Sequence, residues 1–111
     1  MYKVIICGND YKMMKTILKQ IKNLRESMKD ARIEVVFNRS AVKALLKGDE
    51  YMPEIREIIK SGTEVNACQN TLKEMNLSDE DVDRDAGIGL VKAAVEEIVK
   101  KEADGYLYLQ L

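Results

Sequence analysis

Cys68 is the residue of this sequence whose type and position best suit chemistry. It follows a short segment, residues 63–67, that is typical of a β-strand, and it precedes polar residues that favour the start of a helix. Free amides and the helix dipole at a helix N-terminus favour a thiolate over a thiol. A thiolate is a nucleophile, so Cys68 is the candidate catalytic residue. The alternative is a small buried residue that packs beneath the helix.

Cys7 is the second cysteine, 61 positions earlier in the chain. It ends the apolar segment 3–7, and cysteines in such positions usually pack in the core. Burial disfavours the thiolate there, so we expect Cys7 to react more slowly than Cys68. A resolving role, or a redox pairing of Cys7 with Cys68, is the alternative.

Polar side chains near the ends of the predicted strands complete the candidate site. Asn and Asp at such points are typical helix N-caps. Arg39 could hold an anionic ligand or stabilise a thiolate or persulfide, or form a surface or intersubunit salt bridge. The candidate pocket residues are Asn9, Asp10, Asn38, Arg39, Asn70 and Thr71.

Several classes of chemistry are excluded by what the sequence lacks. It contains no histidine, which excludes Ser-His-Asp catalysis, Cys-His catalysis and His-ligated metals. Neither a phosphate loop nor a complete dinucleotide fingerprint occurs, which argues against a nucleotide or flavin binder. The acidic residues 79–85 lack the ligand spacing of a calcium loop. We therefore expect neither a metal nor an organic cofactor.

Length and composition indicate one globular domain. The chain has 111 residues and a formal net charge of -1, so no overall field attracts nucleic acid or an anionic membrane. No apolar run approaches the length of a membrane span, and the N-terminal apolar segment is too short for a signal peptide. Two distant cysteines then favour a cytoplasmic protein with reduced thiols.

Strand and helix patterns alternate along the chain. This alternation predicts an α/β fold, a three-layer α/β/α sandwich around a mostly parallel sheet, in a single domain at 1–111. The Asp-rich segment 82–86 is the least certain strand, and the apolar positions from Leu90 to Val99 predict a helix. The predicted strands are 3–7, 33–37, 63–67, 82–86 and 106–109.

Right-handed crossovers would bring every strand-to-helix loop to one edge of the sheet. Ligands of parallel α/β sheets bind at that edge, outside the carboxyl ends of the strands. Three loops meet the description, at residues 8–10, 38–40 and 67–70. We therefore expect the site among these loops.

Segment 63–72, with the sequence TEVNACQNTL, resembles the signature of the DsrE/DsrF-like family, which includes the YchN-like proteins. Residues 33–42 resemble the family's second strand and next helix, and residues 105–109 resemble its closing strand. The resemblance spans roughly residues 2–110 and implies a five-stranded sheet, homotrimers or hexamers, and in some members a sulfur relay. In those members the cysteine at the position of Cys68 carries sulfur as a persulfide and passes it to a partner protein.

Two functions remain open at this point. The first is a small cytoplasmic sulfur carrier or sulfurtransferase-like protein that uses Cys68 and exchanges sulfur with donor and acceptor proteins. The second is a non-catalytic oligomeric module that binds a small ligand or a protein at the same edge of the sheet. The apolar segment 106–109 and Leu111 are the predicted contact surfaces between subunits.

Overall fold

Five parallel strands form the central sheet in the computed structural model, which describes residues 1–111. The spatial order is β4-β3-β2-β1-β5, so β1 lies between β2 and β5. This confirms the predicted α/β sandwich and its five-stranded sheet. The strands are β1 Lys3–Gly8, β2 Arg32–Phe37, β3 Glu64–Cys68, β4 Gly89–Val91 and β5 Leu107–Gln110.

Four α-helices connect the strands. The longest, α1, buries Met14, Ile17, Leu18 and Ile21, whose spacing of three and four residues places them on one face. The helices are α1 Met14–Ser27, α2 Met52–Lys60, α3 Gln69–Glu74 and α4 Ala94–Ala103. Short 3-10 segments occur at Tyr11–Met13, Arg39–Leu45, Asp79–Asp81 and Arg84–Ala86.

The two faces of the sheet are covered unequally. One face packs against α1, α2 and the segment Arg39–Leu45, in a core of 23 buried residues. The other face has a smaller apolar cluster, in which Ile5, Val36 and Cys68 of the sheet pack with Ala94 of α4. Because α4 is the helix that covers this second face, its position determines the surroundings of every side chain there, including Cys68.

The fourth strand lies at Gly89–Val91, and the prediction of a strand at 82–86 is wrong. Asp83 accepts a hydrogen bond from the Ala86 amide, and Gly87 has a φ of 96°, so this segment turns back on itself. Leu90 and Val91 belong to the strand instead of the helix that their spacing predicts. They pair with Ala67 and Cys68 of β3. The prediction failed because two adjacent apolar residues fit the period of a helix as well as that of a strand in so short a segment.

No helix is both long enough and apolar enough to cross a membrane.

Candidate functional site

Cys68 is the last residue of β3, and its side chain lies on the face of the sheet covered by α4. Its sulfur accepts a hydrogen bond from the Ala94 amide at the start of α4, at 3.4 Å. The prediction that the sulfur meets the helix following it in sequence is therefore wrong. Successive side chains of a strand point to opposite faces, and Cys68 falls on the face away from α3, whose Leu72 packs into the larger core.

The start of α4 has no conventional cap. Ala93 occupies the N-cap position and has no side-chain hydrogen-bonding group. The Cys68 sulfur accepts from the first amide of the helix, Ala94, so a residue of another element satisfies one of the free amides there. The expected environment, helix amides and the positive end of a helix dipole, is thus present, although a different helix supplies it.

A cavity of about 260 Å³ opens beside the Cys68 sulfur. Cys68 itself is only 4% exposed, so a reagent reaches the sulfur through this cavity. Of the predicted pocket residues, Asn38, Arg39, Asn70 and Thr71 line it together with Cys68. The lining is completed by Glu74, Ala93, Ala94 and Val95.

Asn9 and Asp10 do not line the cavity. The Asp10 carboxylate accepts a hydrogen bond from the Lys12 amide at 3.0 Å and so caps the segment Tyr11–Met13. The Asn9 carbonyl accepts from the Ser40 hydroxyl at 3.4 Å. The loop after β1 therefore makes local contacts and connects to the loop after β2, while the cavity lies between the loop after β2, the end of β3, α3 and the start of α4.

Arg39 is held in an unfavourable backbone conformation at the mouth of the cavity. Its φ is 50°, in the left-handed region that residues other than glycine rarely adopt. The Thr71 hydroxyl accepts a hydrogen bond from the Arg39 amide at 3.1 Å and fixes the loop against α3. The guanidinium forms no ion pair with a carboxylate of the chain.

Cys7 is buried, as predicted, and its thiol donates a hydrogen bond to the Asn38 side-chain oxygen at 3.7 Å. Burial raises the pKa of the Cys7 thiol to about 11, helped by the charge of Cys68 and opposed by Arg39. Two strand spacings of about 4.8 Å separate β1 from β3, which exceeds the reach of a disulfide. An internal disulfide between Cys7 and Cys68 is thus excluded in this fold.

Four residues of the cavity went unrecognised in the sequence, namely Glu74, Ala93, Ala94 and Val95. Glu74 looks like an ordinary surface carboxylate of a helix. The segment 93–95 lies far from Cys68 in sequence and carries no polar side chain. The only local sign of their role was a helix start without a capping residue. The free amides of such a start need a hydrogen-bond acceptor from elsewhere in the fold.

A second polar cluster lies beneath α4, further from the carboxyl edge. Glu34 on β2 is 1% exposed, and its carboxylate accepts a hydrogen bond from the Asn66 amide at 3.0 Å. The Lys101 ammonium lies 3.3 Å from the other oxygen. Burial raises the pKa of Glu34 to about 7, and the nearby carboxylates Glu97 and Glu64 add to the shift while Lys101 opposes it.

No group of three or more Cys, Asp or Glu side chains is arranged to hold a metal ion. At the carboxyl edge the Cys68 thiol lies beside the Ala94 amide. The fold and the site together define a small parallel α/β protein with a cysteine at the carboxyl end of the third strand.

The chain belongs to the DsrE/DsrF-like family, whose sequence model matches residues 3–111. This membership confirms the resemblance drawn from segment 63–72, and it links the chain to a family associated with sulfur relay. No curated protein matches the sequence.

Solved structures share the fold over nearly the whole chain. A protein of unknown function from Methanobacterium thermoautotrophicum, MTH1491, is 26% identical with a TM-score of 0.91, and each chain is covered fully. The ychN protein from E. coli is 18% identical with a TM-score of 0.76, again with full coverage of both chains. BT1422 from Bacteroides thetaiotaomicron, also of unknown function, is 16% identical with a TM-score of 0.76. That match covers 98% of this chain and 94% of BT1422.

Proposed function

We propose that this protein is a small sulfur carrier that holds sulfane sulfur as a persulfide on Cys68. The observation that carries the proposal is the hydrogen bond from the Ala94 amide to the Cys68 sulfur, at 3.4 Å. A donor at the start of a ten-residue helix stabilises negative charge on sulfur. The Ala94 amide donates to the Cys68 thiolate before loading, and the adjacent amides of the helix donate to the terminal sulfur of the persulfide afterwards.

Loading and unloading are two thiol exchange steps. The Cys68 thiolate attacks the outer sulfur of a donor persulfide, a sulfur–sulfur bond forms, and the donor leaves as its own thiolate. The Cys68 persulfide then loses its outer sulfur to the thiolate of an acceptor, which regenerates the Cys68 thiolate. Electrons balance in each step without an external oxidant or reductant.

In this function Cys7 stays a protonated, neutral thiol. Its pKa of about 11 leaves almost no thiolate at neutral pH, so it does not compete for the donor. Its distance from Cys68 also prevents it from resolving the persulfide into a disulfide. A carrier benefits from this arrangement because the loaded sulfur persists until an acceptor arrives. Reduced thiols of this kind suit the cytoplasm.

We also propose that the protein acts as a homo-oligomer, a trimer or a hexamer. The edge strand β5 leaves Leu107, Tyr108 and Leu109 between 41% and 58% exposed. A groove of about 370 Å³ beside it has an entirely apolar lining that also includes Tyr2, Val4, Leu24 and Met28. Apolar surface on an unpaired edge favours association, and subunit contact would protect it.

Sulfur loading is tested by intact mass after incubation with inorganic polysulfide. We expect the mass of one or more sulfur atoms to be added to the wild-type protein and removed again by dithiothreitol. Cys68→Ser should abolish the gain, because it removes the acceptor thiol. Cys7→Ser is the matched control and should retain it. Equal loading of both variants, or loading of Cys68→Ser alone, would contradict the proposal and favour a non-catalytic binding module.

A further inference from the structure

We propose that α4 is a pH-sensitive cover over Cys68, which opens when Glu34 loses its proton and closes when Glu34 regains it. The cover regulates the access of large reactants to the thiol, and for this use it rests on the proposed carrier function. Three features of the molecule support it: the sparse apolar packing of α4, the charged groups beneath its second half, and its contact with the Cys68 sulfur.

Few apolar side chains attach α4 to the sheet. Ala94 is the one residue of α4 that is fully buried, whereas α1 buries four residues and α2 buries three. Ile98 is partly buried, and Val95 and Val99 on the outer side of the helix are largely exposed. Because packing of an apolar face supplies most of the stability of a helix in a protein, we expect α4 to open at a lower cost in free energy than α1 or α2.

Charged groups take the place of apolar contacts beneath the second half of α4. The buried Glu34 of β2 lies there, and Glu97 and Lys101 of α4 face it. The Lys101 ammonium lies 3.3 Å from the Glu34 Oε1 atom, which has no hydrogen-bond partner, and 3.8 Å from the Glu97 carboxylate. From β3, the Asn66 amide donates to the carboxylates of Glu34 and Glu64, at 3.0 and 2.9 Å. One ammonium thus serves a cluster of three carboxyl groups.

Ionisation of Glu34 changes the balance of charge beneath α4. The ammonium faces two carboxylates, those of Glu97 and Glu64, while Glu34 is protonated, and it faces three when Glu34 is ionised. The neighbour of Glu34 on β1 is Ile5, which offers no compensating charge. Burial in these surroundings raises the pKa of Glu34 from 4.5 to about 7. Opening of α4 hydrates the ionised carboxylate, so the open state becomes more favourable as the pH rises through this window.

The first turn of α4 connects this cluster to Cys68. The Ala94 amide donates to the Cys68 sulfur, and residues 93–95 form one wall of the cavity beside it. With the helix in place the thiol is buried, and a reagent reaches it through a cavity of about 260 Å³. Movement of α4 away from the sheet removes this wall and brings the Cys68 thiol to the surface. Small reagents therefore react in both states, whereas large reagents react in the open state.

Two thiol reagents of different size measure opening separately from thiolate formation. Iodoacetamide is small, whereas pyrenylmaleimide carries four fused rings directly beside its reactive group. Both react with the thiolate, so the ratio of their rates at Cys68 is independent of its ionisation. In Cys7→Ser protein, we expect the ratio of pyrenylmaleimide to iodoacetamide rates to rise about tenfold between pH 6 and pH 8, which follows from the pKa of Glu34 in the closed and open states.

Variants at two carboxylates assign the pH dependence. Glu34→Gln, also in the Cys7→Ser protein, should hold the ratio constant between pH 6 and pH 8, because Gln cannot ionise. Glu26→Gln is the matched control, since Glu26 is an exposed carboxylate of α1 that does not act on Glu34. It should keep the full rise. A constant ratio without the Glu34 substitution, or a rise that persists in Glu34→Gln, would overturn the proposal.

Hydrogen exchange measured by mass spectrometry shows whether α4 opens by itself. Amides of α4 should be less protected than those of α1, and Glu34→Gln should increase the protection of α4 at pH 8. Equal protection of the two helices would mean that α4 opens only when the whole domain unfolds, and the proposal would be wrong. Polysulfide loading of Cys68 tests the carrier function separately. Loading with a constant reagent ratio retains the carrier and overturns the cover, and a rising ratio without loading does the reverse.

Discussion

Replacement of Glu34 by Gln should make the protein more stable at neutral and alkaline pH. Glu34 is buried beneath α4, where its carboxylate lies close to Glu97 and is linked through the Asn66 amide to Glu64. A Gln side chain has the same shape, cannot ionise, and keeps an oxygen for the Asn66 amide. Lys101 would lose one partner but remains 27% exposed and within 3.8 Å of Glu97.

The direction and size of the effect follow from the pKa of Glu34. Because this pKa is raised from 4.5 to about 7 in the folded protein, the native state binds more protons than the unfolded state between these values. The free energy of unfolding therefore falls as the pH rises through this window. At about 1.4 kcal/mol per pH unit, the loss amounts to roughly 3 kcal/mol once Glu34 is ionised in both states.

Urea unfolding followed by far-ultraviolet circular dichroism measures this difference. Wild type and Glu34→Gln should have similar free energies of unfolding near pH 4.5, and the variant should be more stable by up to roughly 3 kcal/mol near pH 8. Protein concentration is kept constant because association also adds stability. Glu26→Gln is the matched control, since Glu26 is an exposed carboxylate of α1 and is not among the charges that act on Glu34. Its profile should stay parallel to that of wild type.

Parallel pH profiles for wild type and Glu34→Gln would refute the reasoning. They would mean that Glu34 has the same proton affinity in the folded and unfolded chains. A variant less stable than wild type at pH 8 would show that the ion pair with Lys101 outweighs burial of the charge. That outcome would make the Glu34–Lys101 pair a net stabilising contact of α4.

Other predictions follow from single contacts. Iodoacetamide near neutral pH should label Cys68 before Cys7, because burial raises the pKa of Cys7 to about 11; mass mapping of the labelled peptides decides this. Ala94→Pro removes the amide that contacts the Cys68 sulfur and should slow its alkylation about tenfold, whereas Ala94→Ser keeps the amide and should not. Gly89→Ala should destabilise the protein by about 1–3 kcal/mol in urea unfolding, since the added methyl group would overlap the Asn66 side chain. Light scattering should give a mass of three or six chains, and a monomer at micromolar concentration would contradict the proposed assembly.

The sequence by itself determined four of the five strands, their parallel arrangement and the placement of Cys68 at the carboxyl edge. Apolar segments bounded by turn residues identified β1, β2, β3 and β5 to within a residue at either end, because strand formation depends on local apolar patterning. The same local signals failed at β4. Its three residues form a strand because they pair with β3. The spacing of apolar residues in the local sequence does not reveal this pairing.

Only the tertiary structure decided what surrounds the sulfur. The alternation of side chains along β3 directs Cys68 toward α4, and the parallel pairing of β4 with β3 places the start of that helix, at Ala94, beside the end of β3. Burial of Glu34 depends in the same way on α4 covering the sheet. The hydrogen bond to the Cys68 sulfur and the raised pKa of Glu34 arise from residues distant in sequence, because the surroundings and hydrogen-bond partners of a side chain are set by packing.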